Sequence, residues 1–363
     1  MFAIGNESFR LMGVPGEDLD RVDSATEFVG WYNGHPDFSR LDFDLREVER
    51  VAVVGNGNVA MDVARVLVKD PDELAATDIA DYALEALQAS RVEEVLVLGR
   101  RGPAQASFTT KEIREIGSLP GVDLLVSPAQ MELDPLSASW LEAEGSPGAK
   151  KNVEYLTGKS VEAPDGAPRR LHFEFLVSPI EFLGDAGGLA AVRLERNELY
   201  LDDRGTPRPR GTGETRVEQV QLALTAVGYR GVPLAGLPFD DDRGVLPNTA
   251  GRIQDDEGQA LPGLYAVGWA KRGPTGLIGS NVADAEETVR SMTADLQAGR
   301  IRPATAPDPD EPARRLQSRG LRYVSFDDWR RLDDLEVEAG KGRGKIREKF
   351  TDVEAMLNAL ERA

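Results

Sequence analysis

The stretch "VAVVGNGNVAMDVARVL", residues 51–67, decides the fold. Its first four residues form an apolar run typical of a buried strand, and its second half places apolar residues at helical spacing. Between the two, Gly55, Gly57 and Ala60 form a G-x-G-x-x-A pattern. The first glycine permits a tight turn, the second leaves room for phosphates, and the small third residue lets helix and strand pack closely. The stretch therefore predicts a dinucleotide-binding α/β domain, and the alternative interpretation is a merely structural turn.

The end of the next predicted strand indicates which dinucleotide is bound. That strand, "VEEVLVLG" at 92–99, is followed by Arg100 and Arg101. An NAD site usually places an acid at this point to accept hydrogen bonds from the ribose hydroxyls. Two arginines can instead fork onto a 2'-phosphate. We therefore predict NADP, and the alternative interpretation is a solvated basic pair.

Composition excludes several kinds of chemistry. The chain has 363 residues, of which 41% are hydrophobic, and this length favours two domains. It contains no cysteine, which excludes disulfides, cysteine-ligated iron-sulfur clusters and thiol redox pairs, so electron chemistry needs an organic cofactor. The only two histidines are His35 and His172; neither is assigned a role, and no metal site is predicted.

Charge and hydropathy bear on partners and location. A formal net charge of -19 argues against a general affinity for nucleic acid. No apolar run approaches the roughly 20 residues that a membrane span needs, and the N-terminus lacks the pattern of a signal peptide. We therefore expect no nucleic-acid or membrane partner and a cytoplasmic location.

The order of predicted elements indicates a parallel sheet. A strand is expected at 2–5, helices at 23–33, 58–69 and 78–89, and strands at 51–54 and 92–99; such alternation is typical of a parallel sheet with crossover helices. Residues 144–168, rich in Gly, Pro and Lys, are expected to form a surface excursion. A series of strands follows, and a proline-rich link at 303–313 leads into a helical tail.

A second glycine-rich segment, "GWAKRGPTGLIGSN" at 268–281, precedes a predicted helix. The N-terminal amides of that helix can meet an electron-rich ring or a carbonyl group. Trp269 is then either a cofactor platform or a core residue. The spacing alone leaves both interpretations open.

Five motifs together resemble one flavoprotein family, the adrenodoxin reductase type of ferredoxin-NADP reductase. They are "GNGNVAMDVARVL", "GRRGPAQASFTTKEIRE", "TAVGYRGVPL", "GVLPNTAGRI" and "PGLYAVGWAKRGPTGLIGSN". They occur in the family's order and spacing, and further similarity extends across nearly the whole chain. The resemblance implies an α/β protein with two Rossmann-like nucleotide-binding domains. It also implies an oxidoreductase that transfers electrons from NADPH through FAD to a ferredoxin, an iron-sulfur protein.

The resemblance assigns residues to both cofactors. Those expected to bind NADP are Gly55, Gly57, Asn58, Val59, Ala60, Arg100, Arg101 and Glu112. Those expected along the FAD isoalloxazine are Trp269, Gly276, Leu277 and Ile278. One helical turn beyond Glu112, Glu115 is expected near the nicotinamide, where it is a candidate catalytic residue for ordering the ring or handling a proton. Its alternative interpretation is a solvated helix face.

The resemblance also predicts the domain boundaries. Residues 9–227 are expected to form the NADP-binding domain, and residues 1–8 and 228–363 the remainder of the FAD-binding domain with a C-terminal helical tail. The family begins with a strand and a G-x-G-x-x-G loop for FAD, which this sequence lacks. We therefore expect an FAD domain that is incomplete at its N-terminus, through either a misassigned start codon or a real deletion.

Rival functions share parts of this plan. Disulfide reductases of the thioredoxin reductase type are excluded because the chain has no cysteine. The small subunit of glutamate synthase normally carries a cysteine-rich cluster region, which is absent. A non-catalytic NADP-binding module that has lost its flavin half stays open.

Basic residues beside the second glycine-rich segment are candidates for docking an acidic ferredoxin. They are Lys271 and Arg272, with Arg169 and Arg170 as a weaker pair. Their alternative interpretation is solvated surface charge.

Overall fold

The computed structural model describes residues 1–6, 8–185, 187–276, 279–301 and 308–361. The strands, in chain order, are β1 (Ser8–Phe9), β2 (Val22–Ser24), β3 (Arg50–Val54), β4 (Glu94–Gly99), β5 (Val122–Val126), β6 (Arg169–Phe175), β7 (Val177–Asp185), β8 (Gly188–Leu201), β9 (Pro207–Gln219), β10 (Leu222–Thr225), β11 (Tyr229–Arg230), β12 (Asn248–Thr249), β13 (Arg252–Gln254) and β14 (Ala260–Tyr265). The α-helices are α1 (Ala25–Tyr32), α2 (Asn58–Val68), α3 (Pro71–Ala75), α4 (Asp81–Gln88), α5 (Thr110–Ile116), α6 (Pro128–Met131), α7 (Pro135–Ala143), α8 (Pro147–Val161), α9 (Trp269–Arg272), α10 (Ser280–Gln297), α11 (Glu311–Ser318), α12 (Phe326–Lys341) and α13 (Val353–Glu361). Within these described ranges, no helix has both the length and the apolar character needed to cross a bilayer.

The chain divides into two compact units. The smaller unit comprises Met1–Leu11 and Val227–Val324, and the larger unit comprises Met12–Ala226 together with the chain from Ser325 onward.

The larger unit is built on a parallel sheet with strand order β2-β10-β3-β4-β6-β5. All adjacent pairs in it run parallel. Strands β3 and β4 are nearly continuous apolar runs, as expected for strands covered on both faces. The predicted α/β fold class is confirmed, and the predicted helices at 23–33 and 58–69 correspond to α1 and α2.

The sheet separates two cores. One face packs against helices, with buried residues that include Phe28, Val53 and Met61. The other face packs against the antiparallel sheet β7-β8-β9, through a cluster that includes Leu98 and Val192. The antiparallel sheet therefore lies over the same parallel strands that end at the predicted dinucleotide loop.

Helix α1 shows how local sequence starts an element of this unit. The hydroxyl of Ser24 accepts the N–H of Thr26, while the carboxylate of Glu27 accepts the N–H of Ser24. This capping box satisfies amides that have no partner inside the helix. The helix then buries Phe28 and Trp31.

The expected surface excursion at 144–168 is wrong for most of its length. The structure forms α8 there, with Ser146 as its N-cap and Pro147 in its first turn, where a missing N–H costs nothing. The helix buries Asn152, Val153 and Leu156, which share one face. Composition did not predict this helix because its proline, which lies at the helix start, is equally typical of loops, and because few of its residues are buried.

The smaller unit has a three-stranded antiparallel sheet, β12-β13-β14, and a core that includes Leu246, Ile253 and Ala266. The strand expected at 2–5 is reduced to a single parallel bridge between Phe2 and Ala266. Helix α10 buries polar residues rather than apolar ones; they are Thr288, Ser291 and Asp295. Polar partners therefore hold this helix in place.

The part of the helical tail from Ser325 onward belongs to the larger unit, whereas the sequence-based division grouped the tail with residues 228–324. Lys345 is buried, and its Nζ donates to the carbonyl of Ile79 at 2.9 Å and to the carboxylate of Asp81 at 2.7 Å. Lys349 forms an ion pair with Asp78 at 2.8 Å. These partners lie more than 250 residues away in the sequence, so no local pattern indicates them.

Candidate functional site

The two glycines between β3 and α2 have different reasons to be glycine. Gly55 has a φ of +134°, and a Cβ there would lie 2.5 Å from the carbonyl oxygen of Ala226, so the fold itself requires glycine. Gly57 has an ordinary φ of -101°, and in the described part of the chain a Cβ there would meet only the Cβ of Ser107, at 4.0 Å. Because the protein leaves that space open, glycine at 57 clears room for a ligand beside the helix.

The N-terminus of α2 faces this loop without a side-chain cap. Its N-cap residue is Gly57, which has no side chain that could accept a hydrogen bond from the first amides. The first amides of the helix therefore remain available to an anion, and the helix dipole favours negative charge at this end. Ala60 is fully buried, which lets α2 approach the sheet closely, and Val59 packs against the core. These features fit a pyrophosphate.

Two asparagines, Asn56 and Asn58, join the glycine loop to the segment after β4 through hydrogen bonds. The carbonyl of Asn56 accepts the N–H groups of Ser107 and Phe108, at 3.0 and 3.1 Å. The side-chain oxygen of Asn58 accepts the N–H of Thr109 at 2.9 Å. The Nδ2 of Asn56 is buried and has no hydrogen-bond partner among the described residues. Sequence reasoning missed Asn56, although its place between the two glycines was a usable signal.

Arg100 and Arg101 directly follow β4, and in the described part of the chain neither forms an ion pair with a carboxylate. Arg101 is half-buried, and its Nη2 lies 3.4 Å from the hydroxyl of Ser107. Burial, together with the charges of Arg100 and Arg208, lowers the pKa of Arg101. Positive charge without a local counter-charge suits a dianionic group such as a phosphate.

Glu112 and Glu115 converge on Arg65 of α2. The guanidinium of Arg65 pairs with Glu112, and its Nε lies 3.6 Å from Glu115. A third carboxylate, that of Asp62, lies 2.9 Å from Nη1. Burial lowers the pKa of Arg65, but these three carboxylates outweigh burial and raise it above its ordinary value. Burial in turn raises the pKa of Asp62.

The Arg65 cluster lies away from the end of α2 that faces the loop. Arg65 is seven residues beyond Asn58, which corresponds to about 10 Å along the helix axis. The two glutamates therefore fasten α5 to the body of α2, and Glu115 is still 47% exposed. The sequence carried no signal for Arg65, because its partners lie on another helix.

The second glycine-rich segment forms a tight turn in the smaller unit. Gly268 has a φ of +64°, and its N–H donates to the carboxylate of Asp284 at 2.6 Å. The ring of Trp269 lies 5.3 Å from that of Tyr229 and is tilted by 39°. Gly276 is exposed, with a φ of +82°. The other two residues assigned to this segment, Leu277 and Ile278, lie outside the described residues.

The expectation that Lys271 docks a partner is wrong. Lys271 is only 8% exposed, and its Nζ lies 3.1 Å from the carboxylate of Asp284 and 2.6 Å from that of Glu287. Arg272 is also engaged, by Asp284 at 3.7 Å and by the side chain of Asn281. Both cations are used inside the smaller unit.

The weaker candidate pair also has partners inside the fold. Arg169 donates to the carbonyls of Val68 and Lys69, at 3.0 and 2.7 Å, and so caps the end of α2. Arg170 pairs with Glu94 at 3.6 Å.

The chain is similar in sequence to named ferredoxin reductases. No protein-family model matches the chain. The chain is 42% identical to NADPH-ferredoxin reductase FprA of Mycobacterium tuberculosis (strain ATCC 25618 / H37Rv) over 361 residues, which cover 98% of this chain and 77% of that protein. It is 38% identical to the mitochondrial NADPH:adrenodoxin oxidoreductase of Arabidopsis thaliana over 371 residues, covering 99% of this chain and 76% of the relative.

A solved structure also superposes on the chain closely. The structure of Mycobacterium tuberculosis FprA in complex with NADPH matches with a TM-score of 0.90 and 41% identity, covering 99% of this chain and 78% of that one. The similarity in sequence and in structure therefore spans both units.

Proposed function

Since this chain belongs to the family of NADPH-ferredoxin reductases and NADPH:adrenodoxin oxidoreductases, we propose that it transfers electrons between NADPH and a ferredoxin by way of FAD. It is an oxidoreductase. FAD, when bound, supplies the exchange between the electron pair of a nicotinamide and the single electrons of an iron-sulfur protein. Because the chain has no cysteine, a cysteine-ligated iron-sulfur cluster is the partner's contribution.

The NADP half of the proposal is supported by the larger unit. The open space at Gly57 and the uncapped N-terminus of α2 suit the pyrophosphate, and the two arginines after β4 suit the 2'-phosphate. The observation that carries the proposal is that Arg100 and Arg101 lack carboxylate partners within the described residues, in a chain with 62 acidic residues. So acidic a chain would readily have paired them if they served the fold alone.

Glu112 and Glu115 retain a supporting role in this proposal. Their shared ion pair with Arg65 holds α5 beside α2, and α5 begins next to the glycine loop through the bond between Thr109 and Asn58. We keep Glu115 as the candidate residue near the nicotinamide, with the ion pair to Arg65 limiting how far its carboxylate can reach.

The FAD half of the proposal is supported by the smaller unit. The turn at Gly268 and the half-buried ring of Trp269 provide a flat aromatic surface and open backbone, which suit an isoalloxazine ring. A groove of about 400 Å³ in this unit is bordered by Tyr229, which packs against Trp269, and by Arg243. Flavin absorbance in the purified chain would support this half; binding of NADPH by a colourless chain would favour the non-catalytic NADP-binding module.

The NADP assignment is tested by replacing Arg100 and Arg101 together. The R100A/R101A variant should bind NADPH at least about 100-fold more weakly, because two charge-assisted contacts of about 1.5 to 3 kcal/mol each are lost, and should bind NADH unchanged. Affinities are measured by fluorescence titration of the nicotinamide. The matched control is R46A/R91A. It removes two exposed arginines that precede β3 and β4 and therefore lie at the N-terminal ends of these strands, opposite to Arg100 and Arg101. If the R100A/R101A variant keeps its NADPH affinity, the assignment fails.

A further inference from the structure

We propose that Asn197, on β8, is a positioning residue that fixes the backbone of Arg100 and Arg101 so that both side chains can meet one 2'-phosphate. This inference rests on the proposed function and extends it to a residue of the antiparallel sheet. The juxtaposition that carries it is a buried amide bonded to the backbone of a loop that begins about 100 residues earlier.

Asn197 belongs to a closed set of hydrogen bonds around the two arginines. It is 4% exposed, and its Nδ2 donates to the carbonyl of Arg100 at 2.9 Å. Its own N–H donates to the carbonyl of Leu176 at 2.7 Å, and the N–H of Leu176 donates to the carbonyl of Arg101 at 3.1 Å. Asn197 therefore binds the carbonyl of Arg100, Leu176 binds the carbonyl of Arg101, and the two residues are bonded to each other. The second hydrogen of Nδ2 is donated to the hydroxyl of Ser178 at 2.8 Å.

Leu176 adopts a strained backbone to complete this set. Its φ is +56°, in the left-handed region, which costs a residue with a Cβ about 1 kcal/mol or more. The segment between β6 and β7 turns at this point, presenting the N–H of Leu176 to Arg101 and its carbonyl to Asn197. Backbone strain of this kind persists where the surrounding structure specifies it, and it is concentrated at functional sites.

The sheet is irregular opposite Asn197. Glu195 pairs with Thr215 on β9, whereas Asn197 pairs with Gly211, so three residues of β9 lie opposite the single residue Arg196. Such irregularities re-aim side chains and are common next to functional sites. In the regular part of β8 the buried side chains are apolar, as at Leu194. After the irregularity the buried position is taken by Asn197, whose amide reaches the carbonyl of Arg100.

Fixing the backbone matters because arginine side chains are long. A long arginine side chain loses rotamer freedom when it binds a phosphate. If the backbone is also mobile, two such side chains must both be ordered before they can converge on one phosphate. The direction in which each side chain leaves the backbone depends on the orientation of the adjoining carbonyl groups. Anchoring those carbonyls in a buried network preorganises the pair without occupying the guanidinium groups, which stay free for the ligand.

Two nucleotides that differ in the 2'-phosphate test the inference on the full chain. Calorimetric titration with 2',5'-ADP and with 5'-ADP separates the phosphate from the rest of the nucleotide and does not depend on flavin. We expect N197A to weaken 2',5'-ADP binding about tenfold and to leave 5'-ADP binding within about twofold. The matched control S178A removes the other partner of the same amide and should leave both affinities within about twofold. If N197A does not fold, N197S, whose side chain is one bond shorter, provides the same comparison.

The outcomes separate this inference from the function on which it rests. A variant at Asn197 that leaves the ratio of the two affinities unchanged, including one that weakens both equally, overturns the positioning role. If R100A/R101A also leaves 2',5'-ADP binding unchanged, the NADP assignment itself fails. Loss of 2',5'-ADP binding in R100A/R101A but not in the Asn197 variants rejects only the inference about Asn197.

Discussion

Two basic pairs followed by glycine, one in each unit, look alike in the sequence and differ in the structure. Arg100 and Arg101 follow β4 and form no ion pair with a carboxylate in the described ranges. Lys271 and Arg272 lie in α9, where α10 supplies Asp284 to both. The first pair is free to bind an anionic ligand, whereas the second is consumed by the fold.

The difference shows that a cation's role depends on which carboxylates the fold brings to it. For Lys271 the carboxylates come from α10, 13 and 16 residues along the chain. For Arg100 and Arg101 the surrounding segments contribute the side-chain amide of Asn197 and the backbone N–H of Leu176. These groups donate to the carbonyls of the two arginines and do not contact their guanidinium groups. The comparison predicts opposite responses to mutation: loss of ligand binding for one pair and loss of stability for the other.

The largest stability effect is expected at Lys271. The K271A variant should lower the free energy of unfolding by about 3 kcal/mol, because the carboxylate of Asp284, which is 7% exposed, then keeps Arg272, at 3.7 Å, as its only cation among the described residues. Denaturant unfolding followed by circular dichroism measures the change. The control R290A removes an exposed cation of α10 and should change stability by less than about 0.5 kcal/mol. Equal stability of K271A and the unmutated chain would contradict the comparison.

An intermediate effect with a pH dependence is expected at Asp23, an acid that lies among acids. Burial, with the charges of Glu27 and Asp20, raises its pKa from 3.8 to about 6. The folded chain therefore binds this proton more tightly than the unfolded chain, so the stabilising contribution is present below pH 3.8 and is lost as the pH rises through about 6. D23N should raise stability by about 1 to 2 kcal/mol at pH 7 and little at pH 4.

Urea unfolding of D23N and of the unmutated chain at the two pH values checks this prediction. A stability difference that is the same at pH 4 and at pH 7 would show that charge at Asp23 is not its cause.

The smallest effect is expected at the second candidate pair. R169A removes the donor to the last carbonyls of α2 and should cost about 1 kcal/mol. R170A removes a 47% exposed cation from Glu94, which keeps its ion pair with Arg50, and should cost less than about 0.5 kcal/mol. Thermal unfolding of the two variants in parallel measures both. If R170A is destabilised more than R169A, the capping role assigned to Arg169 is contradicted.

Much of the larger unit was predictable from short stretches of sequence. Strands β3 and β4 and helices α1 and α2 appear where apolar periodicity and turn residues predict them, because those signals act within one element. Helix α8 was missed because its glycines and its proline are typical of loops, although the proline lies at the helix start. No local pattern indicates that the tail from Ser325 onward groups with the larger unit, because Lys345 and its partner Asp81 are 264 residues apart.

The sequence by itself determined the dinucleotide loop, since a strand, two glycines and a helix specify their geometry through steric limits and spacing within 17 residues. It also excluded thiol and disulfide chemistry, because the chain has no cysteine. Only the tertiary structure decided which charged side chains stay free and which backbone groups are anchored. Arg65 meets Glu112 from 47 residues away and Asn197 meets Arg100 from 97 residues away, and such pairings depend on how whole elements pack, which no local pattern encodes.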